Sequence, residues 1–237
     1  MHFLDLTLPE PAQNVALDEA LLLEAEAGRL PPLLRIWEET RPVVVIGSGS
    51  RIEEEVAIEK CCADGVPILR RVSGGGAVLL GPGCLCYSVI LPTDLPGCGD
   101  IRSSVSFVLT KTCEALHELG LAATVAGRSD VVIGSRKVSG NSQRRMLRFF
   151  LHHGTLLYDL DLSAMGKYLR NPKQQPDYRQ GRGHAEFVAN LPTSPEALKR
   201  MLRFVWNAHE PWEDWPGDET LRLVQTKYSL DSWTFRR

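Results

Sequence analysis

Arg70-Arg71-Val72-Ser73-Gly74-Gly75-Gly76-Ala77-Val78 sets two cations and three consecutive glycines at the join of two short segments, 68–71 and 77–80, that read as strands. Glycines reach positive φ and carry no Cβ, so successive N–H groups can turn toward one anion and let it approach the main chain. The arginines add forked, permanent charge beside them. A loop that joins strand to strand is neither a P-loop nor a dinucleotide-binding turn, which need a helix next and another glycine spacing. The other reading of the same block is a glycine corner in a sheet with two solvated arginines.

The 237 residues are 43% hydrophobic and 24% charged, as in an ordinary globular protein with a sizeable core. Lys and Arg number 27 against 29 Asp and Glu, a net charge of −2, so no global charge points to nucleic acid or an anionic membrane. Met1-His2-Phe3-Leu4-Asp5 has no basic start before an apolar run, and no stretch has the length of a membrane span. The chain reads as cytoplasmic. The cysteines at 61, 62, 84, 86, 98 and 113 then read as reduced thiols, and without C-x-x-C spacing no metal site is expected.

Helical spacing and stop signals predict helices over 14–27, 52–64, 100–119, 163–169, 194–209 and 218–228. Strands are expected at 33–37 and 43–46, paired with each other across a turn at Pro42, and at 85–91, 122–125 and 154–160. Residues 130–133 and 136–139 flank Gly134-Ser135 as a two-residue hairpin. The polar stretch 171–190 reads as a mobile loop, with Arg179, Arg182 and His184 solvated or turned to a ligand. Strand pairs mixed with isolated helices predict an α+β domain with a mixed β-sheet flanked by helices.

In the hairpin, alternation sends Lys137 and Ser139 to one face and Arg136 and Val138 to the other. The neighbours His152 and His153 must likewise face opposite ways. Taken together, the glycine block, Gly127-Arg128-Ser129-Asp130, residues 136–143 and His153-Gly154-Thr155-Leu156-Leu157 resemble the biotin/lipoate protein ligase superfamily. The likeness is greatest to lipoate–protein ligase A and its octanoyltransferase relatives. It extends to Asn14-Val15-Ala16-Leu17-Asp18-Glu19-Ala20, to Val44-Val45-Ile46-Gly47 and to the ending Thr226-Lys227-Tyr228 through Trp233, and so covers most of the chain.

The resemblance implies a single ligase-like catalytic domain over 1–237, without a separate C-terminal accessory domain, and an acyl tunnel beneath the glycine loop. It implies Lys137 as the catalytic cation at the reacting carboxyl group. Arg71, Ser73, Gly74, Gly75 and Gly76 would hold the acyl-adenylate, with Asp130, Ser139, Gly140, His153, Gly154 and Thr155 around it. The implied substrates are lipoate or octanoate and ATP with Mg, and the implied partner is a lipoyl-domain acceptor protein whose lysine takes the acyl group. The chemistry agrees, since an acyl-AMP needs cationic donors at its phosphate and its carbonyl becomes an oxyanion under attack.

The chain departs from the family pattern in three ways. Where ligases carry a His-Asp pair after the glycines, it reads Leu79-Leu80-Gly81-Pro82-Gly83-Cys84. It ends near the limit of the catalytic domain of the longer ligases, which leaves a separate accessory ligase subunit as a possible partner. Residues 125–130 hold no cysteine where octanoyltransferases of similar length carry their nucleophile. Cys84 and Cys86, on one side of a strand near the glycine loop, are the remaining thiol candidates, although a buried cysteine usually behaves as a small hydrophobe. The alternatives to a ligase are an octanoyltransferase working from acyl carrier protein and the acyl-binding subunit of a split ligase.

Overall fold

The computed structural model describes residues 1–172 and 175–236. In chain order its strands are β1 (His2–Asp5), β2 (Leu33–Glu38), β3 (Val43–Ile46), β4 (Ile68–Arg70), β5 (Val78–Leu80), β6 (Cys84–Pro92), β7 (Ala123–Ala126), β8 (Asp130–Ile133), β9 (Arg136–Arg145), β10 (Phe149–Leu157) and β11 (Glu210–Pro211). The helices are α1 (Pro11–Glu26), α2 (Ile52–Glu55), α3 (Ile58–Ala63), α4 (Ile101–His117), α5 (Leu162–Tyr168), α6 (His184–Phe187), α7 (Pro195–Val205), α8 (Gly217–Leu223) and α9 (Asp231–Thr234). The large sheet runs β11-β1-β2-β6-β10-β9-β8-β7, with β1 parallel to both neighbours and the remaining pairs antiparallel. A small sheet, β4-β3-β5, stands apart from it. This is the expected α+β architecture, a mixed sheet flanked by helices.

Alternation along the two central strands decides what each face buries. Leu85, Tyr87, Val89 and Leu91 of β6 and Phe150 and Leu156 of β10 join the cluster beneath α4 and α7. Cys84, Cys86 and Leu157 pack instead toward the small sheet, and Ile90 and Leu151 toward α1. The two amphipathic helices on the first face start where their caps dictate. Asp100 accepts from Ser103 N–H while Ser103 Oγ takes the Asp100 N–H, and Ser194 caps α7 ahead of Pro195. No helix among the described residues is long and apolar enough to cross a membrane.

Several expectations are corrected. β2 and β3 do not pair, because between Glu39 and Pro42 the chain leaves the large sheet for the small one. The helix expected over 52–64 is broken into α2 and α3 at Val56, whose extended backbone bridges to Leu169. The helix expected to reach Tyr228 passes after Leu223 into the wider turns of Val224–Tyr228. The polar stretch after Asn171 holds a 3₁₀ turn at Asp177–Arg179 and the short α6, and Arg179 is buried with its guanidinium over the Phe187 ring. Lys173 and Gln174, part of the same expected loop, lie outside the described residues.

Candidate active site

The glycine loop connects β4 to β5, and its shape is fixed by side chains that seize its carbonyls. Arg71 donates to the carbonyls of Gly74, Gly76 and Val45 and to Ser73 Oγ. Ser142 Oγ from β9 donates to Gly74 O, and Ser50 Oγ to Gly75 O. Ala77 N–H is taken by Glu55 at the end of α2. The N–H groups of Gly74, Gly75 and Gly76 have no acceptor among the described residues. Gly75 has φ +82°, and a Cβ there would lie 3.0 Å from Arg71 Nη2. The positive φ favours glycine, and a Cβ would press on the guanidinium that holds the loop.

Arg71 is therefore an organiser of the loop whose own donors are engaged, while its charge still lies directly under the free amides. Burial pulls its guanidinium down to about 10, so it remains charged at neutral pH. Arg70 is also buried, held by the carbonyls of Gly47, Ser50, Thr234 and Arg236. Neither forms an ion pair with a carboxylate among the described residues. Glu55 offsets part of the Arg71 charge without an ion pair to it; the remaining positive charge and the row of free N–H groups favour an anion above the loop.

That loop borders a cavity of about 330 Å³. Val15, Trp37, Val45, Leu79, Leu157 and Met165 give it apolar lining, all drawn from the cluster between the two sheets. Its polar lining includes Arg71, Gly75, Gly76, Asp130, Lys137, Ser139, Gly140, His153, Gly154 and Thr155. Every residue expected at the site is thus at or beside one cavity, with Ser73 buried behind it and Gly74 at the exposed tip of the loop. Of the two thiol candidates, Cys86 lines the cavity. Cys84 is fully buried, and burial drives the Cys86 thiol well above its usual range.

Lys137 Nζ lies 2.7 Å from Asp130 Oδ1. The side chain crosses the bare backbone of Gly140, where a Cβ would stand 2.8 Å from Nζ. Asp130 Oδ2 accepts from Tyr178 OH at 2.6 Å. Arg136 donates to Val188 O and Ala185 O, and Val138 is buried under α4. The alternation expected to set Lys137 and Ser139 on one face is broken by a β-bulge: Val132 pairs with Lys137 and Val131 with Ser139, leaving Val138 as the extra residue, and Ser139 Oγ accepts from Asn141, whose Oδ1 takes the Tyr87 hydroxyl.

His153 is wired on both sides. Nε2 is 2.6 Å from Ser73 Oγ and Nδ1 is 2.8 Å from Asp18 Oδ2. Asp18, buried on α1, also accepts from Ser88 Oγ and Arg35 Nη1, the latter at 2.7 Å. Burial works to raise the Asp18 carboxyl, but the Arg35 charge and the His153 and Ser88 hydrogen bonds outweigh it and hold it below the usual range. Asp18, Glu55 and Tyr178 carried no role in the sequence reading. Asp18 stands one turn from Asn14 in a block quoted for its resemblance, so it was within reach, whereas no local pattern marks Tyr178.

A family model, the lipoyl protein ligase A/B catalytic domain, matches residues 10–199. The chain belongs to that family. A lipoate-protein ligase A-type protein of Aeropyrum pernix is 36% identical over 84% of this chain and 71% of its own length. Lipoate-protein ligase LplJ of Bacillus subtilis is 28% identical over 100% of this chain and 74% of its own. Octanoyltransferase LipM of Moorella thermoacetica is 30% identical over 100% and 98%. The fold matches a lipoate-protein ligase A solved with ATP, with a TM-score of 0.85 at 24% identity over 99% of this chain and 98% of the other. It also matches the bi-partite lipoate protein ligase of Thermoplasma acidophilum, with a TM-score of 0.84 at 24% identity over 99% and 95%.

Proposed function

We propose that this chain moves a lipoyl or medium-chain acyl group, by way of acyl-AMP, onto a lysine of a lipoyl domain, with residues 1–237 acting as one catalytic domain. The observation that carries this reading is the meeting, in one cavity, of an apolar lining, the free amides of Gly74–Gly76 over the Arg71 charge, and the Lys137 ammonium. An acyl chain suits the first, an adenylate phosphate the second and a developing oxyanion the third. ATP is the activating substrate. Mg²⁺ would travel with the nucleotide phosphates, since that ion is usually held by one or two carboxylates together with its substrate's phosphates.

The second reading, acyl transfer from a carrier-protein thioester, is favoured by near full-length similarity to an octanoyltransferase. It is opposed by the burial of Cys84 and Cys86 and by the raised Cys86 thiol. Purified protein and an apo lipoyl domain, offered octanoate or lipoate with MgATP in one tube and octanoyl carrier protein in another, separate the two by mass spectrometry. Acylation in the first tube alone is expected. Acylation in the second alone would overturn the ligase reading, and acyl binding without turnover until a second subunit is supplied would assign the chain to a split ligase.

A further inference from the structure

Tyr178 lies in the segment between α5 and α6, three of whose residues, Pro172, Pro176 and Arg179, also line the cavity. Its ring and its hydroxyl are accommodated by one turn. Gly127 has φ +58°, which favours glycine, and its bare backbone faces the ring, a Cβ there standing 3.4 Å from Tyr178 Cε1, in ordinary contact. Three residues on, Asp130 receives the hydroxyl. On its other side the ring stands 5.2 Å from that of Phe187, and Arg182 clamps the segment by donating to Tyr178 O and Ser135 O. The Gly-Arg-Ser-Asp turn and the covering segment are thus joined through this tyrosine.

Asp130 has two oxygens and two partners, Lys137 Nζ on Oδ1 and Tyr178 OH on Oδ2. Resting on the proposed function above, we infer that Tyr178 is a positioning residue for Lys137. It occupies Oδ2 of Asp130, so the ammonium keeps its contact on Oδ1 and is left turned to the cavity. Without the hydroxyl, both oxygens are free to close on Nζ, and the charge is drawn from the place where the carbonyl would react. The family blocks in the sequence contain Lys137 and Asp130 but not Tyr178, whose part follows from the fold alone.

The test is single-turnover transfer from preformed acyl-AMP to an apo lipoyl domain, with acyl-AMP affinity and thermal stability measured on the same proteins. Tyr178→Phe keeps the ring on Gly127 and against Phe187 and removes only the hydroxyl. A hydrogen bond to a charged group is at stake, so transfer should slow about tenfold while acyl-AMP affinity stays within about twofold. In a Lys137→Ala background the same substitution should change nothing further, because its effect runs through that lysine. Wild-type transfer by Tyr178→Phe, or an equal loss in both backgrounds, overturns the inference and leaves Lys137 in place. If Lys137→Ala itself transfers at the wild-type rate, the reading of the site falls, and the role of Tyr178 with it.

Discussion

His152 and His153 are neighbours on β10, yet they occupy opposite physical worlds. His153 faces α1, where Asp18, Arg35, Ser88, Ser73 and Arg71 form a continuous polar chain from the core to the glycine loop. His152 faces α4, fully buried, with neither ring nitrogen partnered among the described residues. Opposite it on β9, Gln143 gives its amide to Ser104, and its Oε1 has no donor among the described residues. Burial pushes His152 down to about 3, so it sits in its face as a neutral, almost apolar ring. The contrast teaches where this fold spends its buried charge. Ionised groups are carried on the face that bears the cavity, each held by several donors or acceptors, and the other face is left to packing.

The largest effect should come from breaking the charged face at its centre. Asp18→Ala strands the Arg35 guanidinium, wholly buried, without its carboxylate. Removing one member of such a pair costs about 3–5 kcal/mol. Chemical denaturation should read a loss in that range, and a loss below about 1 kcal/mol would show that the pair is not the keystone of its face.

The next prediction sets one group from each face against the other. Buried Glu39 is raised from 4.5 to about 7, mainly by burial, with Asn14 as its hydrogen-bond partner. A carboxyl raised on folding stabilises at low pH, and that stability is lost as pH climbs from 4.5 to about 7. A histidine lowered on folding does the opposite, so His152 loses stability as pH falls from 6.5 toward about 3. Each slope is about 1.4 kcal/mol per pH unit, and between 4.5 and 6.5 they cancel. The wild type should therefore show little pH dependence from these groups across that window. Glu39→Gln should unmask a fall in stability on acidification, and His152→Leu a rise. Parallel curves for both variants would contradict the assignment of either group.

How much of this was legible beforehand follows from the range of the interactions. Alternation alone put His152 and His153 on opposite faces, because a strand's period of two is local, and it failed between Lys137 and Ser139, where the bulge at Val138 adds a residue. Asp100 and Ser194 announced their helices for the same reason. The pairing of β2 with β3 was misread because a short turn between two apolar runs looks like a hairpin, while the choice of sheet rests on distant β6 and β4. Arg71 read as a ligand contact, and its guanidinium instead holds the loop's own carbonyls, which depends on a backbone shape no spacing reveals. Tyr178 was invisible because its partners, Asp130 and Gly127, lie about fifty residues away in sequence.

The smallest effect is expected where a thiol merely packs. Cys84→Ser and Cys86→Ser should retain acyl transfer within about threefold, as befits buried sulfur acting as a small hydrophobe. An acyl-thioester trapped on either residue would move the chemistry from the loop and Lys137 to the strand floor.

Lys137, proposed as the cation at the reacting carbonyl, is the residue on which the chemistry depends. The direct measurement is the single-turnover rate of acyl transfer from preformed acyl-AMP to an apo lipoyl domain, which isolates this step from adenylation. Losing one preorganised donor to an oxyanion is worth about 3 kcal/mol, so Lys137→Ala should transfer about a hundredfold more slowly while remaining folded. Lys137→Arg should also be slow, because charge alone does not reproduce the reach across Gly140. Transfer by Lys137→Ala at the wild-type rate would contradict the account.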